Sequence, residues 1–275
     1  MNDLRQALGR WPNAPLALVV AQVRFEPHPQ FDPQQVADRV QQATGERYPR
    51  LNPLQQFSVI LGLGQPGVVQ PPVVQVGFDL RNDVDNEVVR MQPDALTFMT
   101  SAYQDSTHFS GLWRVFMAAL CEDRALTVTR LGLRYVDFII PSPGHVPEDY
   151  FLDGLGRSPA CLGDQSPVAF TLYDFPRADG GQLRLQYGRG FGPPSLPPDL
   201  QDSVLPPSSL TTRNSGDLSA VLDMDRWRLV NESLSLDAIA SEIEVLRTDM
   251  SASFRGIMTS LADTEWRLSS NQGES

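Results

Sequence analysis

Arg130-Leu131-Gly132-Leu133-Arg134-Tyr135-Val136-Asp137-Phe138-Ile139-Ile140 is the stretch on which the reading of this chain turns. Side chains of a strand point alternately to opposite faces. As a strand, the stretch sets Leu131, Leu133, Tyr135, Asp137 and Ile139 on one face and Arg130, Arg134, Val136, Phe138 and Ile140 on the other. Both faces are largely apolar, so both need cover, and both carry charge. A buried charge has to be paired. Arg134, and Arg24 in the second long apolar run Leu16-Ala17-Leu18-Val19-Val20-Ala21-Gln22-Val23-Arg24-Phe25, would therefore need carboxylates such as Asp137 or Glu26. A buried ion-pair network that sets strand register is the reading favoured. The alternative is an Arg-lined pocket in which Arg24, Arg134, Tyr135 and Asp137 recognise an anionic small molecule or nucleotide.

Working outward, the Leu16–Phe25 strand is stopped by Pro27 and Pro29, and Asp32 with Pro33 opens a helix reaching about Gly45. Strand candidates follow at 57–63, 73–80 and 88–100, then a helix capped by Ser106 or Thr107. The order restarts with a strand over 125–140, a short helix at 146–155, strands at 168–173, 183–187 and 218–229, and a closing helix over 234–261. This predicts an α+β fold of two β-α-β-β-β-α halves, a mostly antiparallel sheet covered by long helices. The divisions are a lead-in at 1–12, halves at 13–124 and 125–266, and a frayed tail at 267–275. Residues 192–216 are rich in Pro and exceed the usual loop length of about 12–15 residues. With little to bury, they read as an insertion that is either disordered or functional, and its deletion is expected to leave the fold intact.

In the last helix Ile239, Ile243, Leu246, Met250, Phe254, Ile257 and Leu261 form one apolar stripe. Residues 234–261 would extend about 40 Å, whereas five or six strands span roughly 25 Å. Phe254, Ile257, Met258 and Leu261 are thus expected to overhang the sheet and to meet a second copy or another protein.

Composition bounds the function. Of 275 residues 41% are hydrophobic, which suits a globular chain, and no apolar run of the ~18 residues needed to span a bilayer occurs. Acids outnumber bases 33 to 22, and the net charge of -11 argues against electrostatic binding of nucleic acid. Every base is Arg, which excludes Schiff-base, P-loop and kinase-type Lys chemistry. Cys121 and Cys161 are too few for a disulfide framework or a thiolate zinc site, and the start Met1–Arg5 has no secretory pattern, so a cytoplasmic protein is expected. His28, His108 and His145 lack metal-ligand spacing, and no metal or cofactor is expected. The acids Asp79, Asp83, Asp85 and Glu87 read as a solvated hairpin tip. The Gly-rich turns 62–67 and 188–192 are not followed by the helix that phosphate binding needs. No catalytic constellation emerges.

Asn13-Ala14-Pro15-Leu16 with Gln22-Val23-Arg24-Phe25, Ser101-Ala102-Tyr103 with Trp113-Arg114-Val115-Phe116, and the 131–139 stretch resemble a sporadically distributed prokaryotic family of conserved hypothetical proteins. Its pattern is N-x-P-L…Q-x-R-F, T-S-x-Y…W…F and R-x-G-L-R-Y-x-N-x-I. The chain departs from it with Asp137 in place of Asn and with the Pro-rich segment. The resemblance brings no activity with it. The patchy distribution it implies is that of mobile or defence-associated genes. It leads to the expectation of a non-enzymatic binding or assembly protein, an accessory that masks a basic effector as antitoxin- and immunity-type proteins do.

Overall fold

A computed structural model describes residues 11, 13–27, 31–56, 74–122, 125–152, 155–157, 161, 166, 168–201, 203–210 and 216–267. Among the described residues nine strands form one antiparallel sheet: β1 (Leu16–Phe25), β2 (Arg50–Gln56), β3 (Val74–Arg81), β4 (Glu87–Gln92), β5 (Ala95–Thr100), β6 (Leu126–Ile139), β7 (Ala169–Pro176), β8 (Gln182–Phe191) and β9 (Leu218–Leu234). Their order across the sheet is β2-β3-β4-β5-β1-β6-β9-β8-β7. The two long apolar strands β1 and β6 are central neighbours. Each half lays its last strand against its first and builds outward from there.

Among its described residues the first half holds one strand more than expected. The run 88–100 is two strands, because Pro93 and Asp94 turn it into a hairpin in which Gln92 faces Ala95. A strand not foreseen, β2, forms the edge; its Pro53 lacks a donor and is tolerated there. The expected strand at 57–63 and the Gly62–Gly67 turn lie outside the described residues, as does His28. In the second half a 3-10 turn at Pro147–Tyr150 stands where a short helix was expected.

Helix α1 (Pro33–Thr44) starts as its sequence predicts, the Asp32 carboxylate accepting the Gln34 N–H at 2.9 Å. Helix α2 (Ser106–Cys121) is capped one residue earlier than expected, by Asp105, which accepts from the His108 N–H at 2.8 Å. With α3 (Leu236–Gly256) these helices cover one face of the sheet. There Leu131, Leu133 and Ile139 join Val19, Val23, Phe98, Trp113, Phe116, Ile243 and Leu246 in the main core.

The closing helix is not continuous. It breaks after Gly256 and resumes as α4 (Ser260–Arg267). The link is held on the 3-10 turn: Leu152 N–H donates to Ile257 O at 2.6 Å, and Thr259 N–H donates to Tyr150 O at 3.0 Å. Trp266 of α4 stacks on Tyr150 and on Phe254 at ring separations of 5.6 and 5.9 Å. The expected overhang therefore does not arise. Met258 is buried, and Phe254, Ile257 and Leu261 are half-buried against the main core of their own chain. Length alone missed this, because the apolar stripe gives no sign of the break that lets Trp266 pack back on Phe254.

The Pro-rich segment corrects a second expectation. It crosses the opposite face of the sheet as a strap that buries Leu196, Leu200 and Val204 against Ala17, Leu18, Val20, Met99, Val136 and Phe138. Leu205 N–H donates to Asp85 O at 2.8 Å, and Arg81 donates to Ser203 O at 2.8 Å. Prolines suit this position, since a residue without an N–H leaves no donor to strand on an apolar surface.

Candidate functional site

The alternation read from β6 holds in three dimensions, and the two faces of that strand lead to different places. On the strap face Arg134 is 16% exposed at its side chain. It holds Asp223 through two bonds of 2.7 Å and reaches Asp199 of the strap at 2.6 and 3.2 Å. The partners are thus Asp223 and Asp199, not Asp137 or Glu26: Asp137 lies on the other face and Glu26 is exposed. Beside this pair is a polar cleft of 310 Å³ with Arg90, Arg130 and Arg134 in its wall. Each of the three is already answered. Arg90 grips Asp79 in two bonds of 2.8 and 2.9 Å. Arg130 meets Gln22 at 2.9 Å and Asp225 at 3.5 Å. Arg24 is exposed and does not line the cleft. The Arg24–Arg134 anion pocket therefore does not assemble, and the charges here are matched in pairs that lock strands and strap together.

On the helix face Tyr135 and Asp137 behave differently. Asp137 sits near the end of β6, opposite Leu16 of β1, where a bulge shifts the register between Leu16 and Leu18. Bulges commonly re-aim side chains beside sites. Above it is a cavity of 160 Å³ lined by Trp11, Tyr103, Tyr135, Phe254, Arg247 and Arg255, with Asp137 in its floor. Trp11 packs on Phe254 at 6.0 Å and Tyr103 on Tyr135 at 6.5 Å.

The electrostatics of this cavity are unusual. Asp137 is 4% exposed and has no hydrogen bond or ion pair among the described residues. Burial, and after it the charge of Asp223, pushes its carboxyl up to about 8. The hydroxyls of Tyr135 and Tyr103 have no partner among the described residues either, and burial raises both. Arg247 is tied to Glu244, its Nε donating at 2.8 Å. Arg255 has no ion pair among the described residues; it lies over the Trp11 ring at 6.0 Å, and burial, followed by the charges of Arg267 and Arg247, lowers its pKa.

Of the four site residues expected from sequence, the fold brings Tyr135 and Asp137 into one cavity and leaves Arg134 and Arg24 on the opposite side of the sheet. Trp11, Tyr103, Arg247 and Arg255 were missed, and Phe254 was assigned to an interface. A signal existed for the two arginines: Arg247, Ser251 and Arg255 recur every four residues along α3, beside its apolar stripe. Cys121 is buried and its thiol is pushed up to about 11 by burial. Among the described residues there is no group of three or more His, Cys, Asp or Glu that could hold a metal, and no helix long and apolar enough to cross a membrane. Comparison with models of protein families, with curated proteins and with solved structures found no match.

Proposed function

We propose that this protein binds a small organic molecule in the cavity over Asp137. The observation that carries the reading is the Asp137 carboxyl, buried, without a partner among the described residues and facing the cavity. Buried polar groups are almost always hydrogen-bonded, and one left alone costs stability unless something else completes it. Aromatic walls with a few convergent polar groups are the usual make-up of a small-molecule site.

The test is thermal unfolding of the full chain against a set of common metabolites. A cognate ligand at 100 times its Kd adds about 2.7 kcal/mol, roughly 5–10 °C in Tm for a chain of this size. Asp137→Asn and Phe254→Ala should each abolish that shift. The free protein has its own signature. The folded state holds a proton on Asp137 that the unfolded chain releases, so stability falls as pH rises from about 4 to about 8. Asp137→Asn removes that fall. No stabilising compound, together with a pH profile identical in both proteins, would sink the reading.

One observation favours a second reading, assembly. Edge strand β7 exposes Phe170, Leu172, Tyr173 and Phe175, and no described strand pairs with its outer side. Such an edge is a template for another strand, which relocates the expected protein partner from the closing helix to β7. Under this reading a second copy pairs across a two-fold axis. Light scattering should show a dimer that Phe170→Lys with Leu172→Lys returns to a monomer; a wild type already monomeric would remove the idea. Either surface is compatible with the accessory role beside an effector that the family resemblance implies.

A further inference from the structure

We propose that the molecule bound over Asp137 is a small zwitterion of the amino-acid type, its ammonium group on Asp137, its carboxylate on Arg255 and its apolar body against Trp11 and Phe254. This deepens the ligand-binding reading and rests on it.

The argument is one of unmatched charge. Four charged residues line the cavity: Asp105, Asp137, Arg247 and Arg255. Asp105 caps α2 and is exposed, so its charge is met by solvent, and Arg247 is held by Glu244. That leaves one acid, Asp137, and one base, Arg255, neither with an ion-pair partner among the described residues and not paired with each other. A ligand that was only a cation would satisfy Asp137 but would face the free guanidinium of Arg255. A ligand that was only an anion would satisfy Arg255 and be repelled as Asp137 ionises. A molecule carrying one charge of each sign completes both.

The rest of the lining fits the same assignment. Tyr103 and Tyr135 line the same cavity as Asp137; aromatic rings attract cations, and their hydroxyls, without partners among the described residues, can accept from an ammonium. The carboxylate end is met by a guanidinium, which binds such a group in two parallel bonds. Leu16, Trp11 and Phe254 supply apolar wall for a side chain. Size suits a small ligand: 160 Å³ is close to the roughly 150 Å³ known to admit a benzene ring.

Calorimetry on the full chain tests this with three matched sets of probes: apolar L-amino acids, the amines that lack their carboxylate, and the acids that lack their amine. L-leucine, 3-methylbutylamine and 4-methylpentanoate are one such triplet. At least one amino acid should bind tenfold or more tightly than both of its partners. Arg255→Gln should bring that amino acid down to the level of its amine without weakening the amine. Asp137→Asn should bring it down to the level of its acid. Arg255→Lys, which keeps the charge, guards against a variant that merely fails to fold and should retain most of the binding. If an amine or an acid alone matches every amino acid, only one charge is read; the zwitterion assignment is then wrong while the cavity stands as a site. The assignment is equally wrong, and the cavity equally a site, if only an uncharged compound from the metabolite set binds. If no compound of any charge binds, both readings fall.

Discussion

Deleting residues 193–215 and joining Gly192 to Gly216 through a short Gly/Ser linker is expected to leave little folded, soluble protein. The segment looks like a dispensable loop, and its composition alone led to the opposite expectation. Yet its Leu196, Leu200 and Val204 are all buried. Each such side chain contributes about 1.5–3 kcal/mol on burial. The deletion also bares Leu18, Val136 and Phe138 in the centre of the sheet. The loss exceeds about 5 kcal/mol, the low end of ordinary domain stability. Leu200→Ala isolates the effect in one side chain and should cost roughly 2–5 kcal/mol by urea titration. A deletion variant that is soluble and unfolds at the wild-type midpoint would show that the strap is not part of the core.

Arg134→Gln should destabilise the chain by about 3–5 kcal/mol, the usual consequence of removing one partner of a buried ion pair. Asp223, with 5% of its side chain exposed, would lose both of its 2.7 Å bonds. Asp199 would lose its hold on the sheet, which loosens the strap at its 3-10 turn Pro198–Leu200. The double variant Arg134→Gln with Asp223→Asn should recover part of the loss, because the stranded carboxylate is then gone. Equal midpoints for wild type and Arg134→Gln would mean that the pair is screened by solvent and contributes nothing.

Much of the candidate site was visible one residue at a time without its assembly being visible. Tyr135 and Asp137 stood out as polar groups on an apolar strand face, and that face is where the cavity lies. Arg134 stood out for the same reason, but its alternation placed it on the far side of the sheet, where Asp223 and Asp199 answer it. Those partners lie 89 and 65 positions away. Nothing in local spacing selects them over Asp137, three residues away.

By itself the sequence determined what depends on neighbours along the chain. The two-residue period of β1 and β6 assigns their faces, Asp32 with Pro33 starts α1, and the strand and helix succession dictates an α+β class. Only the tertiary structure decided what depends on meetings across the sheet. It split the run at 88–100 where Pro93 turns the chain, ended the last helix at Gly256 and folded Trp266 back onto Phe254. It drew a Pro-rich segment with three buried side chains across one face of the sheet, and it left Asp137 and Arg255 in one cavity without partners among the described residues. The physical reason is that hydrophobic burial is non-directional and ion pairing is short-ranged. Local pattern states which groups need a partner, while chain topology decides which ones find it.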